Sequence, residues 1–216
     1  MALNIIRHAG ILAAALSTAA VVAQPAVAGG QVETNAVNEE DQVARTRVSG
    51  EGAMVEVAFD PDAQRLAVRY RVSNDSDAPL AVFDRGDVHS VLSKRLVAGD
   101  VPGPRIEGGV DGLTLSHAAQ ALPDPAPTSP PTPLATKLGP GERLDASFDV
   151  DLSLSPASVA RVRWCLGVLP FEEAEFRPAT SGGDVALWSA PFSVVERQQL
   201  LCTPWFDMAA GTFESG

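Results

Sequence analysis

Residues 144–155 read LDASFDVDLSLS, and this stretch decides the fold. Apolar and polar side chains alternate along it without a break. The apolar residues are Leu144, Ala146, Phe148, Val150, Leu152 and Leu154. A period of two is typical of a strand that rests one face on a core and turns the other face to water. The stretch therefore predicts a long strand of an antiparallel sheet.

Two further stretches, 65–72 and 161–168, show the same period. The residues predicted to face inward are Leu66, Val68, Tyr70, Val72, Val162, Trp164, Leu166 and Val168. Those predicted to face outward are Arg65, Arg69, Arg71, Arg161, Arg163 and Cys165. Residues 88–97 are predicted as a further strand, and no segment shows a helical period of useful length. The chain is therefore predicted to be all-β.

Short strands separated by turn sequences about every 8–15 residues predict an antiparallel sandwich of about seven or more strands. The stretches LAVRYRVSNDSDAPLAVFD (66–84) and LGPGERLDASFDVDL (138–152) resemble the strand pairs of exported bacterial immunoglobulin-like or fibronectin-like domains. The resemblance is to an architectural class and implies an immunoglobulin-like β-sandwich. It carries no catalytic residue, because fold alone does not fix function.

The first 28 residues have the layout of a secretory signal peptide. Arg7 precedes an apolar run at 9–23, and small residues surround the expected cleavage site after Ala28, with Ala23 as the alternative. The run is too short and too rich in alanine for a membrane span, so we expect no transmembrane segment in the mature chain. The sequence predicts a periplasmic or secreted protein, and its Arg- and Ala-rich, Lys-poor composition is typical of a bacterial source.

Composition divides the rest of the chain into three predicted parts. Residues 29–50 are predicted to be a flexible acidic leader, 51–204 a single β-sandwich domain, and 205–216 a C-terminal tail. The Pro-rich loop 123–133 lies inside the sandwich domain, where polyproline-like geometry is favoured over a ladder or a helix. We expect this loop to be a stiff surface connection, and recognition by a groove-type domain is the alternative.

The two cysteines, Cys165 and Cys202, are predicted to form one disulfide in an oxidising compartment. Two free thiols are the alternative. Because Trp164 takes the inward phase of its strand, Cys165 takes the outward phase. We therefore expect the bond to tie the C-terminal segment to the outside of one sheet, without joining two sheets.

The formal net charge is −11. Such an acidic surface disfavours nucleic acids and anionic membranes as partners, and it leaves a basic protein or a cation acceptable. The arginine rows and the aspartates 145, 149 and 151 are expected on wet strand faces, where they pair across strands. Cation binding by the aspartates is a weaker alternative, because a flat strand lacks the oxygen shell that Ca²⁺ requires.

The weak candidates for a metal or small-ligand site are His89, Asp87 and His117, with Asp84 as a further carboxylate. In a strand, Asp87 and His89 would share a face, which suits a metal contact or the orientation of an imidazole. HExxH, HxH and clustered Cys/His spacings are missing from the sequence. No cofactor is therefore predicted, and a metal- or small-ligand-binding domain that uses these residues is the first alternative function.

No catalytic constellation is recognisable, and the GxSxG motif of serine hydrolases is absent. The acidic loop residues Glu172, Glu173 and Glu175 are weak candidates for the carboxylate pair of a glycosidase. The sequence therefore favours a non-enzymatic binding or accessory module of the cell envelope, with another envelope protein as a partner. A hydrolase with a dispersed active site is the second alternative. The candidate contact surfaces are an open sheet edge and the aromatic residues Phe171, Phe176, Trp205 and Phe206.

Overall fold

A computed structural model describes residues 43–62, 64–153, 159–179 and 185–215. These residues belong to one unit, 37–216. The predicted signal peptide and residues 29–42 of the predicted leader lie outside the described residues.

The elements are, in chain order, β1 (Ala44–Ser49), β2 (Ala53–Pro61), β3 (Arg65–Asn74), β4 (Leu80–Val82), α1 (Val88–Leu92), β5 (Arg105–Gly109), β6 (Gly112–His117), β7 (Leu134–Leu138), β8 (Arg143–Asp151), β9 (Arg161–Pro170), β10 (Arg177–Pro178), β11 (Leu187–Ser189), a 3-10 helix (Phe192–Glu196), β12 (Gln199–Cys202), β13 (Phe206–Asp207) and β14 (Thr212–Phe213). Strand accounts for 49% and helix for 6% of the described residues, so the predicted all-β class is confirmed.

The first sheet has the order β1-β2-β3-β8 and is antiparallel throughout. Its inner face carries the apolar phase of each strand, and its outer face carries the charged phase. Across the outer face, Arg71 Nε lies 2.7 Å from Asp145 Oδ1, and Arg65 pairs with Asp149 at 2.6 Å. The expected cross-strand pairing is therefore confirmed for Arg71 with Asp145 and for Arg65 with Asp149, whereas Arg161 pairs with Asp111 and Glu214 and Asp151 accepts from Ser153.

The second sheet is built around β9, which has partners on both edges. Strands β4 and β6 share one edge: β4 pairs antiparallel with 168–170, and β6 pairs parallel with 162–166. The C-terminal segment takes the other edge, with β12 opposite 165–168 and β13 opposite 161–162. Strands β7, β11 and β10 extend the sheet beyond β4, and β5 extends it beyond β6.

Apolar clusters lie on both faces of the second sheet. The larger cluster fills the space between the two sheets and includes Phe59, Tyr70, Trp164 and Phe206, all buried. The smaller cluster covers the other face, because Leu169 belongs to it while Val168, the preceding residue of β9, belongs to the larger one. Alternation along β9 thus supplies both clusters at once.

Two predicted boundaries of the domain are wrong. Residues 44–49, assigned to the leader, form β1, because Ala44 and Val48 pack on the larger cluster while Arg45 and Arg47 face water. Residues 205–216, assigned to a tail, contain β13 and β14, and Phe206 is fully buried. Both segments belong to the sandwich-like body.

The disulfide between Cys165 and Cys202 is present, and it joins neighbouring strands of one sheet. Trp164 is buried between the sheets, as predicted, whereas Cys165 takes the opposite face of β9 and is also buried there, at 3% exposed. Cys202 pairs with Cys165, and Phe206 pairs with Val162. Between these two pairings the C-terminal segment advances by four residues, whereas β9 advances by only three. This one-residue β-bulge turns Phe206 into the core and leaves Trp205 outside.

We expect Phe206→Ala to lower the free energy of unfolding by about 3–5 kcal/mol, because the ring leaves a cavity in the main core. Phe206 contacts the rings of Phe59 and Phe213 at centroid distances of 5.3 and 5.1 Å. Trp205→Ala is the control, with an expected loss of about 1 kcal/mol, since Trp205 lies outside, over Arg163. Urea unfolding of both variants measures the difference. Equal losses would contradict the placement of 205–207.

Candidate functional site

The second sheet forks at Gly167. Strands β4 and β6 run toward each other along the same edge of β9, and the Phe83 N–H donates to the Gly167 carbonyl at 3.0 Å. A Cβ on Gly167 would lie 3.0 Å from the Ala118 Cα and 2.4 Å from the Gln198 side-chain oxygen. A Cβ would therefore displace the Gln198 side chain and crowd the Ala118 backbone, which favours glycine at this position. The segments that follow β4 and β6 then leave the sheet.

The segments that leave the fork form an insertion on the sheet. Residues 83–111 connect β4 to β6 through α1 and β5, and residues 118–133 return to β7 through the Pro-rich loop. Residues 121–130 are exposed and have no strand or helix, as expected for a stiff surface connection. Long connections on a rigid scaffold are the usual carriers of binding function.

Asp87 begins α1 rather than orienting a histidine. Its Oδ1 accepts from the Ser90 N–H at 2.9 Å, and its Oδ2 accepts from the Ser90 hydroxyl at 2.6 Å. This side-chain cap satisfies a free N–H of the first turn, so 88–92 is a helix and the predicted strand 88–97 is wrong. Residues two apart do not face each other on a helix, so the shared face expected for Asp87 and His89 is absent as well.

His117 is a structural residue of the fork. It is 4% exposed, its Nδ1 accepts from the Trp164 indole N–H at 3.0 Å, and its Nε2 lies 2.9 Å from the Pro102 carbonyl oxygen. Because a carbonyl only accepts, the proton belongs on Nε2. Burial lowers the pKa of His117 to about 4, against the effect of the Pro102 carbonyl. The ring is neutral at pH 7 and has no free lone pair for a metal.

The described residues hold no group of three or more His, Cys, Asp or Glu side chains that could bind a metal ion. Asp87 and His117 both border the cleft described below, whereas His89 does not. The carboxylate of Asp87 and both nitrogens of His117 are already engaged. The candidate metal site of His89, Asp87 and His117 is therefore not assembled in this part of the chain.

A buried polar cluster lies where β4 ends. Tyr70 donates its hydroxyl to Asp84 Oδ2 at 2.7 Å, while Asp84 Oδ1 lies 3.2 Å from Arg85 Nε without a hydrogen bond to any described group. Arg85 also donates to the Gly99 carbonyl at 2.9 Å and to Thr136 Oγ1 at 3.3 Å. The cluster ties β3, β4 and β7 to the inserted segment.

The charges of this cluster follow from its burial. Burial raises the pKa of Asp84, and the Arg85 guanidinium and the Tyr70 hydroxyl oppose that rise. Burial, followed by the charge of the Asp84 carboxylate, raises the pKa of Tyr70. The Tyr70 hydroxyl is therefore protonated and serves as a hydrogen-bond donor.

A cleft of about 690 Å³ opens between the inserted segments. Its apolar lining consists of Phe83, Leu96, Pro102, Pro104, Ala118, Ala121, Pro123, Pro131 and Pro133. Its polar lining consists of Asp87, Ser90, Arg95, Arg105, Ser116, His117 and Gln120. The volume is in the range of small-ligand sites, about 300–1,000 Å³. Prolines fix the backbone and offer no N–H, so the walls are stiff and mainly apolar.

The polar groups of the cleft suit binding better than proton transfer. Ser90 donates to Asp87, and His117 has no nitrogen free to take a proton from Ser90 or Ser116. Arg105 donates to the side-chain oxygens of Glu107 and Gln120 at 2.8 and 2.9 Å. Arginine and amide groups thus place donors beside an apolar wall.

The predicted aromatic contact residues are mostly core residues. Phe171 and Phe176 are buried and stacked at 4.5 Å in the smaller cluster, and Phe206 is buried in the larger one. Their burial corrects the expectation that these three rings form a contact surface. Trp205 stays on the outside, with its ring 4.5 Å from the Arg163 guanidinium carbon.

Two of the three acidic loop residues are paired with cations. Glu173 lies 2.9 Å from Lys137 Nζ, and Glu175 pairs with Arg197. Lys137 also lies over the Phe171 ring at 4.6 Å. These ion pairs link the loop to residues beside the smaller cluster and give Glu173 and Glu175 a structural use.

Sequence reasoning missed the Tyr70–Asp84–Arg85 cluster and the cleft. Two signals were present: polar Asp84 and Arg85 directly follow an apolar strand, and prolines are concentrated at 123–133. Neither signal says which segments meet. That depends on the fork at Gly167.

No protein-family model, no curated protein and no solved structure matches this chain. None of the helices that the structure describes is long and apolar enough to cross a membrane.

We expect His117 to make stability fall as the pH drops from about 6.5 to about 4. The folded-state pKa of about 4 lies below the ordinary value of 6.5, so the unfolded chain takes up the proton first. The contribution of this histidine is complete above pH 6.5, and the loss at pH 4 is on the order of 3 kcal/mol.

Urea unfolding at several pH values, for the parent and for His117→Gln, measures this effect. Glutamine keeps one donor and one acceptor but does not titrate. The other titratable groups, including Asp84, are present in both proteins, so the difference between the two curves reports His117. Parallel curves between pH 4 and 6.5 would contradict the assignment of a buried neutral ring.

Proposed function

We propose that this protein is a non-enzymatic binding module of the bacterial cell envelope, whose ligand enters the cleft at the fork of the second sheet. The observation that carries the proposal is the cleft of about 690 Å³ built by the insertion between β4 and β7. A stiff wall binds with little loss of conformational freedom. The engagement of His117 and Asp87 supports binding over catalysis.

We further propose an immunoglobulin-like sandwich as the scaffold. In its favour, β2, β3 and β8 are neighbours in one sheet, while β7, β4, β9 and β12 are neighbours in the other. This order corresponds to strands A, B and E packed against C′, C, F and G of immunoglobulin-like domains. The disulfide departs from the antibody pattern, since it would join F to G. In this scheme the insertion lies between C and C′.

The lining of the cleft indicates the kind of ligand. The apolar wall fits an apolar body, and the guanidinium N–H groups of Arg95 and Arg105 that are not donated to Ser93, Glu107 or Gln120 fit a carboxylate or carbonyl group at its end. A small molecule or the end of a partner chain could supply this chemistry. A segment of another envelope protein is the partner that we propose.

Gly103→Trp tests the cleft directly. Gly103 lines the cleft, and a Cβ there would meet no atom within 4 Å, so the backbone at the cleft wall accepts a large side chain. Anilinonaphthalene sulfonate, which has apolar rings and one anionic group, is the probe. We expect about tenfold weaker probe binding in Gly103→Trp, because the indole occupies the apolar wall.

The control is Gly108→Trp on β5, outside the cleft lining, where a Cβ would lie 3.7 Å from a Leu113 side-chain carbon. It should bind the probe like the parent protein. Unchanged thermal midpoints show that both variants fold. Full probe binding by a folded Gly103→Trp variant would overturn the cleft as the binding site.

We also propose export with cleavage after Ala28, supported by the signal-like sequence and by the Cys165–Cys202 bond. Expression of the full chain in a Gram-negative host should yield a periplasmic protein that begins at Gly29 and contains one disulfide. Intact-mass measurement with and without reductant checks both points. Retention of an uncleaved chain in the cytoplasm would contradict the proposal.

A further inference from the structure

The outer face of the first sheet carries a second concave site, separate from the lining of the cleft. It is a groove of about 530 Å³. Four arginines and two carboxylates line it: Arg45, Arg47, Arg69, Arg71, Glu56 and Asp145. The excess of guanidinium groups contrasts with the net charge of −11 for the chain. The groove is therefore a local positive region on an acidic protein.

One row of the groove is electrically balanced. Arg47, Glu56, Arg71 and Asp145 are successive cross-strand neighbours on β1, β2, β3 and β8, with alternating charge. Arg47 pairs with Glu56, and Arg71 Nε lies 2.7 Å from Asp145. Both carboxylates of the lining are thus used within this row.

The neighbouring row leaves two arginines for a ligand. Arg45 and Arg69 are the two cross-strand partners of Ala58. Within the described part of the chain, Arg45 has no ion-pair or hydrogen-bond partner. Arg69 reaches Asp60 at 3.4 Å, which is long for a charged hydrogen bond. Asp60 is therefore a weak competitor for a bound anion.

The geometry of the sheet lets these two side chains converge. Strands lie about 4.8 Å apart, so the Cα atoms of Arg45 and Arg69 are separated by about 10 Å across β2. Ala58 between them offers one methyl group, which leaves the space above it open. Two long, flexible side chains can therefore approach the same anion from opposite sides.

We propose that Arg45 and Arg69 bind the phosphate group of a small phosphate monoester above Ala58. Two guanidinium charges match the charge of a phosphate monoester, close to −2 at neutral pH, and the planar guanidinium donors fit its oxygens. The groove is larger than one phosphate group, so it also accommodates a polar body. A sugar phosphate has this combination.

Titration calorimetry with glucose phosphate, inorganic phosphate, acetate and glucose at low salt tests the proposal. We expect glucose phosphate to bind at least as tightly as inorganic phosphate, acetate to bind more weakly, and glucose to give no heat. Affinity should fall between about 50 and about 300 mM NaCl, because the groove is exposed to screening. Equal heats for glucose and glucose phosphate, or no heat for any phosphate, would overturn the proposal.

Three variants locate the site. Arg45→Gln and Arg69→Gln should each weaken binding of glucose phosphate about tenfold, since each removes charged hydrogen bonds. Ala58→Glu should abolish binding, because it places a carboxylate between the two guanidinium groups. Arg143→Gln is the matched control on the same face of β8, outside the groove, and should bind like the parent. Equal losses of affinity in Arg143→Gln and Arg45→Gln would mean that only the net charge of the protein matters, and would overturn phosphate binding by Arg45 and Arg69.

Discussion

Hydrogen bonding on both edges of β9 is the constraint on which the remaining structure depends. One edge is shared by β4 and β6, and the other by β12 and β13. Because β9 is central, its alternating side chains must fill two apolar clusters at once. Small departures from regular pairing on its edges, the bulge before Phe206 and the fork at Gly167, then determine which side chains enter the core and where the cleft opens.

The strands with a strict period of two could be predicted, because each turns every second side chain toward the core between the two sheets. The phases of Trp164 and Cys165 follow from this rule, and so does the pairing of Arg71 with Asp145. Prediction failed where local signals are weak. Residues 44–49 contain only two apolar side chains, Ala44 and Val48, neither of them large, and the helix at 88–92 depends on one capping side chain, Asp87.

The candidate site was harder to predict, because its polar residues serve packing first. His117 and Asp87 have the side chains of a metal or acid–base site. In the structure both are hydrogen-bonded to neighbouring residues, and no spacing in the sequence identifies these partners. Buried polar groups require such partners, and the partner of His117 is 47 residues away. The cleft itself is formed by turns and prolines without a period. Its existence depends on where β4 and β6 meet.

The separation in sequence between β9 and its partners β12 and β13 has a consequence for protein synthesis. β9 ends at Pro170, whereas β12 begins at Gln199. One edge of the central strand therefore stays unpaired until residues 199–207 have been synthesised. A nascent polypeptide that has emerged only as far as residue 198 presents this edge, with the apolar side chains of Val162 and Trp164, to any other strand nearby. Ribosome pausing in this interval would therefore expose the chain to aggregation, and arrival of residues 199–207 ends that exposure.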